Sequence, residues 1–305
     1  MRKPRGLRSG DRVAVVAPAS PFDREVFDRG IRELQRLGYE PVFDKRVFER
    51  ERYLAGSAAR RAESLTAAWA DPAVAGIFSA RGGYGSAQLL PLLDPAAVRS
   101  SGKPFIGCSD LTALLVFLTN NCGTVGFHGP MLVNLAGGEG GYDRHSLVGS
   151  VSMPEPLGEL APDGVQVLRP GEARGMLLGG TLTQLLASLS TPYTFAPPEG
   201  YVLLLDDVGE RPYRVDRMLT QLVQSGLLRR ASAVVCSEFP GCADSDGCDA
   251  RDVVASALSG FDGPVLFGFP TGHSAGPLWT LPLGVNVTVQ ADPTPRVVIE
   301  ESAVR

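Results

Sequence analysis

The chain has 305 residues, more than most single hydrophobic cores accommodate, so two domains are expected. Apolar residues make up 44% and charged residues 20%, as in soluble globular enzymes, and no apolar run is long enough to span a membrane. The net charge of −4 argues against a nucleic-acid partner, because phosphate binding requires clustered Lys and Arg.

Two short basic stretches, residues 50–52 and Arg60-Arg61, have acidic neighbours, and we interpret both as solvated helix faces. Five cysteines, an odd number in a chain of this length, argue against a disulfide framework. Cys242 and Cys248 flank an acidic loop without the further Cys or His pair of a metal site, so we expect a solvated loop, no metal and no cofactor. The basic N-terminus leads into a short core strand rather than a signal peptide, which predicts a cytoplasmic protein.

The first half of the chain alternates strand and helix patterns. The apolar spacing over 22–37 is amphipathic and ends at Gly38, which is typical of a helix that stops at a glycine. Such alternation predicts a parallel sheet covered by helices on both faces. The predicted strands are 12–17, 75–79 and 104–108, and the predicted helices are 22–37, 57–70, a segment from about 86, and 110–120.

Residues 136–170 are rich in Gly, Pro and acidic residues and show little periodicity, so a connection between two domains is expected there. We predict an α/β fold in which residues 1–140 form a Rossmann-like or flavodoxin-like domain with a parallel sheet. Residues 141–170 form the linker, and residues 171–305 form a smaller mixed α/β domain with a β-rich, barrel-like end. The second half contains predicted helices at 182–189, 213–222 and 250–259, strands at 201–205, 232–236 and 265–267, and β-like segments over 278–300.

The segment PFIGCSDLTALL predicts a sharp turn from a buried strand into a helix at Ser109. Such a turn exposes a side chain at the carboxyl edge of a sheet beside amide donors, as a serine nucleophile requires. The usual hydrolase elbow has glycine two residues after the serine, whereas this chain has Leu111, so that motif is not matched. Two other interpretations stay open: Ser109 caps the helix, or the adjacent Cys108 is the nucleophile.

A serine nucleophile needs a base and an acid that orients the base. Of the three histidines, His145 lies in the Gly-rich connection, and His128 follows a strand, where it either packs in the core or lines a cleft. His273 follows the strand PVLFGF in a loop rich in Gly and Pro. Catalytic residues tend to collect in such loops, so His273 is the preferred base.

Three acids, Asp206, Asp207 and Glu210, come just after the hydrophobic strand at 201–205. Successive side chains of a strand point to opposite faces, so Asp206 and Asp207 cannot both face one cleft if the strand geometry persists. The residues alone do not select between them.

The sequence RGGYG at 81–85 follows a predicted strand and contains the adjacent glycines Gly82 and Gly83. Such glycines let backbone amides approach a ligand closely, as half of an oxyanion hole or as a phosphate loop. Neither the dinucleotide pattern G-x-G-x-x-G nor the GK-Ser/Thr phosphate loop occurs here, which argues against nucleotide binding.

Seven segments of the chain, taken together, resemble the LD-carboxypeptidase family, which also includes the microcin-immunity peptidases. Their order and spacing fit across essentially the whole chain. The segments are VAPAS at 16–20, RGGYG at 81–85, GCSDLTALL at 107–115, FHGPML at 127–132, GGTLTQLLASLSTPY at 179–193, LLLDDVGERPYRVDRMLTQL at 203–222 and GHSAGPLWTLPLG at 272–284.

The resemblance implies a serine peptidase with Ser109 as nucleophile and His273 as general base. The acid of the family is normally a glutamate, and the matching residue here is Asp206, whose carboxylate reaches roughly 1.5 Å less far. The shorter acid requires a closer backbone, a bridging water, or a role for Asp207 or Glu210. We prefer Asp206, because a serine–histidine–aspartate arrangement is chemically sufficient.

By the same resemblance, the backbone N–H groups of Asp110 and of Gly82 or Gly83 would bind the oxyanion. The implied reaction removes the terminal D-alanine from a murein tetrapeptide during peptidoglycan recycling, at a site between the two domains of a homodimer and without a metal. Two alternatives stay open. One is a microcin-immunity-like peptidase that cleaves peptidyl-nucleotide or aminoacyl conjugates, and the other is a catalytically weakened binding protein.

Overall fold

The computed structural model describes residues 1–245 and 247–305. Two sheets with parallel strands and intervening helices make the fold mixed α/β, as predicted. No helix within these ranges is long and apolar enough to cross a membrane. The strands are β1 Arg12–Val16, β2 Glu40–Val42, β3 Gly76–Ser79, β4 Phe105–Gly107, β5 Gly126–His128, β6 Gly158–Leu160, β7 Gln166–Arg169, β8 Glu172–Thr181, β9 Tyr201–Asp206, β10 Ala231–Cys236, β11 Val265–Phe267, β12 Leu281–Leu283, β13 Asn286–Gln290 and β14 Arg296–Ile299.

The helices are mostly short and occupy the segments between these strands. The α-helices are α1 Arg24–Arg36, α2 Ala58–Ala70, α3 Pro95–Ser101, α4 Thr112–Val116, α5 Leu132–Leu135, α6 Arg144–Ser152, α7 Leu182–Ala187, α8 Pro212–Gln224, α9 Leu227–Arg230 and α10 Ala250–Ala257. The segment after RGGYG, predicted as a helix, is the 3₁₀ helix Ser86–Leu92, which contains Pro91. The helix predicted at 110–120 begins as the 3₁₀ turn Ser109–Leu111 and ends as the π-helical turn Phe117–Asn121.

The first sheet has six strands in the order β12-β5-β4-β3-β1-β2. Strands β1 to β5 are parallel, and their order, 2-1-3-4-5, is also found in doubly wound sheets of the flavodoxin type. The carboxyl ends of β3 and β4 are therefore neighbours at one edge of the sheet. This register brings the RGGYG loop after β3 beside the turn at Ser109 after β4.

The second sheet has eight strands in the order β6-β14-β13-β8-β9-β10-β11-β7. Strands β8 to β11 are parallel, and the outer strands are antiparallel to their neighbours. Strands β6 and β7 stand at opposite ends of this order, yet only residues 161–165 connect them. A link of that length spans at most about 20 Å, so the two edges of the sheet curl towards each other. Closure into a barrel-like end stays a prediction.

The segment 141–170, predicted as the linker, carries helix α6 and strands β6 and β7. These elements are short, and the two strands have few buried residues, which explains why the sequence shows no periodicity there. Strand β12 from the second half of the chain pairs antiparallel with β5 at the edge of the first sheet. The two halves thus share a sheet, and the exact domain boundaries stay a prediction.

The interpretation of the basic stretches as solvated helix faces is wrong in two respects. Residues 50–52 are exposed but lie in a turn region rather than in a helix. Arg60 lies at the surface of α2, whereas the adjacent Arg61 is only 2% exposed. The loop between Cys242 and Cys248 is likewise not wholly solvated, since Cys242 is buried and Cys248 is exposed.

Candidate active site

Ser109 lies at the turn between β4 and α4. Its φ is +63°, a left-handed value that serine rarely adopts. Gly107 permits the tight packing of this turn, because a Cβ there would come within 2.5 Å of Leu111 Cδ1 and 2.7 Å of Ser79 Oγ. The strained backbone holds a half-buried serine side chain at the carboxyl edge of the first sheet.

The Ser109 hydroxyl is hydrogen-bonded to His273, which in turn contacts Asp206. The Nε2 atom of His273 lies 2.9 Å from Ser109 Oγ, and its Nδ1 atom lies 2.7 Å from Asp206 Oδ2. An ionised carboxylate only accepts hydrogen bonds, so Nδ1 carries the imidazole proton and Nε2 accepts from the serine hydroxyl. The three predicted residues therefore meet in the geometry of a nucleophile, a base and an orienting acid.

Asp206 ends strand β9 and is fully buried. Alternate residues of β9 belong to different hydrophobic cores: Leu204 packs in the core that includes the first sheet, and Leu205 packs in the other. Because side chains alternate along a strand, Asp206 lies on the face of Leu204, towards the first sheet and Ser109. Asp207 lies on the opposite face. The sequence left open which of these two acids faces the cleft, and in the structure it is Asp206.

The Asp206 carboxylate accepts three further hydrogen bonds. The backbone N–H of His273 and the hydroxyl of Ser237 donate to Oδ1 at 3.1 and 2.8 Å, and the hydroxyl of Thr181 donates to Oδ2 at 3.2 Å. Sequence reasoning missed Ser237 and Thr181. Both lie at the carboxyl ends of strands that flank β9, and a polar residue directly after the buried strand of Ser237 is a signal that could have been read.

Burial and pairing act in opposite directions on the two titratable groups, and pairing prevails. Burial raises the pKa of Asp206, but the hydrogen bond and charge of His273 and the bond from Ser237 outweigh it, so the pKa lies below its usual value. Burial lowers the pKa of His273, but the hydrogen bond and charge of Asp206 raise it above its usual value. The carboxylate thus stabilises the imidazolium that would form during proton transfer.

The other two acids near β9, Asp207 and Glu210, interact with residues other than His273. The Asp207 carboxylate accepts from the backbone N–H and hydroxyl of Thr183 at 2.9 and 2.7 Å, at the first turn of α7, and burial raises its pKa. Glu210 forms an ion pair with the exposed Arg214 at 3.4 Å. Only Asp206 among the three candidate acids is hydrogen-bonded to the imidazole of His273 within the described residues.

Cys108 and the two remaining histidines do not join this arrangement. Cys108 is fully buried, its Sγ lies 3.7 Å from the carbonyl oxygen of Gly272, and burial raises its pKa, so it carries a thiol. His145 is exposed on α6. His128 is fully buried, neither ring nitrogen has a partner in the described part of the chain, and burial lowers its pKa to about 4.

The RGGYG loop touches the serine directly. A Cβ on Gly82 would come within 2.8 Å of Ser109 Cβ, 3.0 Å of Ser109 Oγ and 3.4 Å of the backbone nitrogen of Asp110. Across residues 1–245 and 247–305, the backbone N–H groups of Gly82, Gly83 and Asp110 have no hydrogen-bond acceptor. Amide donors without acceptors beside a serine hydroxyl are the features that an oxyanion site requires.

Comparison with known proteins identifies the family. Residues 13–129 match the LD-carboxypeptidase N-terminal domain, and residues 174–289 match the LD-carboxypeptidase C-terminal domain. A protein of Streptomyces coelicolor named as a carboxypeptidase is 39% identical over 294 residues, which cover 95% of this chain and 94% of the relative. The murein tetrapeptide carboxypeptidase of Pseudomonas aeruginosa is 32% identical over 274 residues, which cover 87% of this chain and 88% of the relative.

Solved structures share the fold over nearly the whole chain. The microcin C7 self-immunity protein MccF superposes with a TM-score of 0.90 at 24% identity and covers 100% of both chains. The muramoyltetrapeptide carboxypeptidase from Oxalobacter formigenes superposes with a TM-score of 0.83 at 29% identity, over 95% of this chain and 99% of the other. The chain therefore belongs to the LD-carboxypeptidase family and is a serine carboxypeptidase.

Proposed function

We propose that this chain is a cytoplasmic L,D-carboxypeptidase that removes the terminal D-alanine of murein tetrapeptides during peptidoglycan recycling. The observation that carries the proposal is the unbroken series of hydrogen bonds from Ser109 through His273 to the buried Asp206. The substrate class comes from the relatives, of which the protein from Pseudomonas aeruginosa is named a murein tetrapeptide carboxypeptidase.

In the proposed reaction, Ser109 Oγ attacks the carbonyl carbon before the terminal D-alanine, and His273 Nε2 takes the hydroxyl proton. The imidazolium then gives this proton to the leaving amine, and D-alanine departs. Water, deprotonated by the same nitrogen, hydrolyses the acyl-enzyme and restores the serine. Asp206 keeps the proton on Nδ1 and stabilises the positive charge of the imidazolium, and the raised pKa of His273 suits this role.

The oxyanion of each tetrahedral intermediate would be bound by the backbone N–H of Asp110 and that of Gly82 or Gly83. All three amides lie in the turn and loop around Ser109 and have no acceptor among the described residues. Donors that are already in position cost no reorganisation when negative charge develops, and each such donor contributes roughly 10²–10³ in kcat. A homodimer belongs to the same proposal, and sedimentation equilibrium would test it.

The proposed function is tested by mass-spectrometric detection of D-alanine release from L-Ala-γ-D-Glu-diaminopimelate-D-Ala. Wild-type protein is compared with Ser109→Ala, and a tetrapeptide that ends in L-alanine serves as the matched substrate control. The proposal predicts release of D-alanine by the wild type alone and little release of L-alanine. Absence of release by the wild type, together with cleavage of a peptidyl-nucleotide conjugate, would instead assign the chain to the alternative substrate class.

A further inference from the structure

Arg61 is a buried cation next to the proposed active site that the reaction does not use directly. It lies on α2, and it is 2% exposed. In the described ranges its guanidinium has no carboxylate within salt-bridge distance, and burial lowers its pKa. A buried charge without an ion-pair partner is costly, so its hydrogen bonds indicate what it stabilises.

The guanidinium of Arg61 joins three separate loops by hydrogen bonds to backbone carbonyls. Its Nε donates to Gly56 O at 3.0 Å, and its Nη1 donates to Pro18 O at 2.6 Å and to Gly85 O at 2.8 Å. Its Nη2 donates to Gln88 Oε1 at 2.6 Å. A planar guanidinium presents its donors at set angles, which a lysine ammonium cannot reproduce.

One of these loops is the RGGYG loop, and Gly85 is held from both sides. Its carbonyl accepts from Arg61, and its N–H donates to Asp110 Oδ1 at 3.2 Å, while the next amide, of Ser86, donates to Asp110 Oδ2 at 2.8 Å. Gly85 has a φ of +121°, and a Cβ there would come within 2.9 Å of Arg61 Nη1. Glycine is therefore required at this contact, and the two buried charges meet through one peptide group rather than directly.

We infer that Arg61 is a positioning residue that sets the distance between the Gly82–Gly83 amides and the Ser109 hydroxyl. The inference deepens the proposed function and rests on it, because its effect is exerted through the oxyanion site. The loop has only two residues, Gly83 and Tyr84, between Gly82, which packs against Ser109, and Gly85, whose carbonyl Arg61 holds. Release of Gly85 moves the oxyanion donors and leaves the triad of Ser109, His273 and Asp206 intact.

The first test is Arg61→Lys, which keeps a positive charge but lacks the separate Nε, Nη1 and Nη2 donors that reach Gly56, Gly85 and Gln88 together. Arg99→Lys is the matched control, because Arg99, on α3, also donates to a backbone carbonyl, that of Cys122 at 3.0 Å, and has no hydrogen bond to the RGGYG loop among the described residues. We expect Arg61→Lys to lower kcat by about tenfold to a hundredfold with KM changed by less than about twofold. Arg99→Lys keeps the wild-type kcat.

Two readouts separate positioning from a purely structural role. The second-order rate of serine labelling by a fluorophosphonate falls in parallel with kcat, because the phosphonyl oxygen occupies the same oxyanion site. The pH midpoint of kcat/KM, which His273 sets, stays at its wild-type value. Labelling does not depend on which substrate the enzyme cleaves. If the fluorophosphonate labels the wild type but no D-alanine is released, the proposed function is overturned, and the labelling rates of the variants still test the role of Arg61.

Gly85→Ala breaks the same contact from the other side and covers the case in which Arg61→Lys fails to fold. We expect the same fall in labelling rate for folded protein, checked by near-ultraviolet circular dichroism. Wild-type labelling rates in either folded variant would overturn the inference. The inference would also be overturned if the labelling rate fell only in proportion to the fraction of unfolded protein, or if the pH midpoint of kcat/KM shifted.

Discussion

The backbone of Gly272 lies directly against the carboxylate of Asp206, and a Cβ at residue 272 would come within 2.3 Å of the carboxylate carbon. Gly272 also has a φ of +68°, which favours glycine. This approach lets the N–H and the ring of His273 both bond the shorter acid directly. An aspartate at this position required a closer backbone, a bridging water, or a role for Asp207 or Glu210. The structure shows the first of these, a backbone that lies close to the carboxylate of Asp206.

Gly272→Ala is therefore expected to displace either the carboxylate or the His273 loop and to lower kcat by at least about 10²-fold. Gly276→Ala is the matched control, because it lies in the same loop and its Cβ would meet no atom within 4 Å. Steady-state kinetics on both variants checks the prediction. Equal activity of the two variants would show that the loop tolerates the added carbon.

Asp206→Asn is expected to lower kcat by roughly 10⁴-fold, or about 5.4 kcal/mol of transition-state stabilisation. The amide cannot stabilise the imidazolium of His273 and permits the wrong tautomer. Asp207→Asn is the control, since Asp207 bonds Thr183 at the start of α7 and faces away from His273. A larger loss in Asp207→Asn than in Asp206→Asn would transfer the role to the second acid.

The activity is expected to rise with pH through the pKa of His273. The base must be neutral to accept the serine proton, and its pKa lies above its usual value of about 6.5 because Asp206 stabilises the charged form. The plot of kcat/KM against pH therefore has its acidic midpoint above about 6.5. A midpoint below that value would mean that burial of His273 outweighs its pairing.

The stability is expected to fall in mildly acidic solution because of His128. Its pKa of about 4 in the folded chain lies below the value of about 6.5 in the unfolded chain, so the unfolded state binds the extra proton between these values. The free energy of unfolding therefore decreases by roughly 3 kcal/mol as pH falls from 6.5 to 4, and this contribution is constant below pH 4. The pKa of His273 is shifted in the opposite direction, upwards from 6.5. Its contribution to the free energy of unfolding is therefore complete below pH 6.5 and is lost as pH rises above that value.

Denaturant unfolding of His128→Leu at several pH values checks this account. In this variant, the free energy of unfolding is expected to change much less between pH 6.5 and pH 4 than in the wild type. His145→Leu is the control, because His145 is exposed on α6, and it keeps the wild-type slope. An unchanged slope in His128→Leu would assign the acid sensitivity to other groups.

The sequence predicted the α/β class and the strands and helices that have strong periodicity, such as β1, α1, α2 and α8. It also pointed to the turn at Ser109, since a buried strand that runs into a helix leaves few other geometries. Short elements such as β6 and β7 carry too few buried residues to produce a pattern. The pairing of β12 with β5 joins segments more than 150 residues apart, and local sequence does not encode such a contact.

Site residues could be predicted where few residues of the required type occur in the chain. They were missed where only tertiary packing determines whether a side chain is buried or faces the site. A chain with three histidines narrowed the candidates for the base and made His273 the preferred one, although His128 stayed open. A pair of adjacent arginines on an amphipathic helix gives no sign that one is buried. Arg61 is turned inward because three loops present carbonyl groups to it, and two of those carbonyls, of Pro18 and Gly85, are 43 and 24 residues away in the sequence. Likewise, the choice of Asp206 over Asp207 required the register of β9 between two cores.

The central claim is that His273 activates the hydroxyl of Ser109, and mapping a fluorophosphonate adduct by peptide mass spectrometry tests it most directly. The wild type and His273→Ala are labelled under the same conditions, and the modified residue is identified within the peptide that contains both Cys108 and Ser109. We expect an adduct on Ser109 in the wild type and labelling slowed by at least about 10²-fold in His273→Ala. An adduct on another residue, or equal labelling of the two proteins, would contradict it.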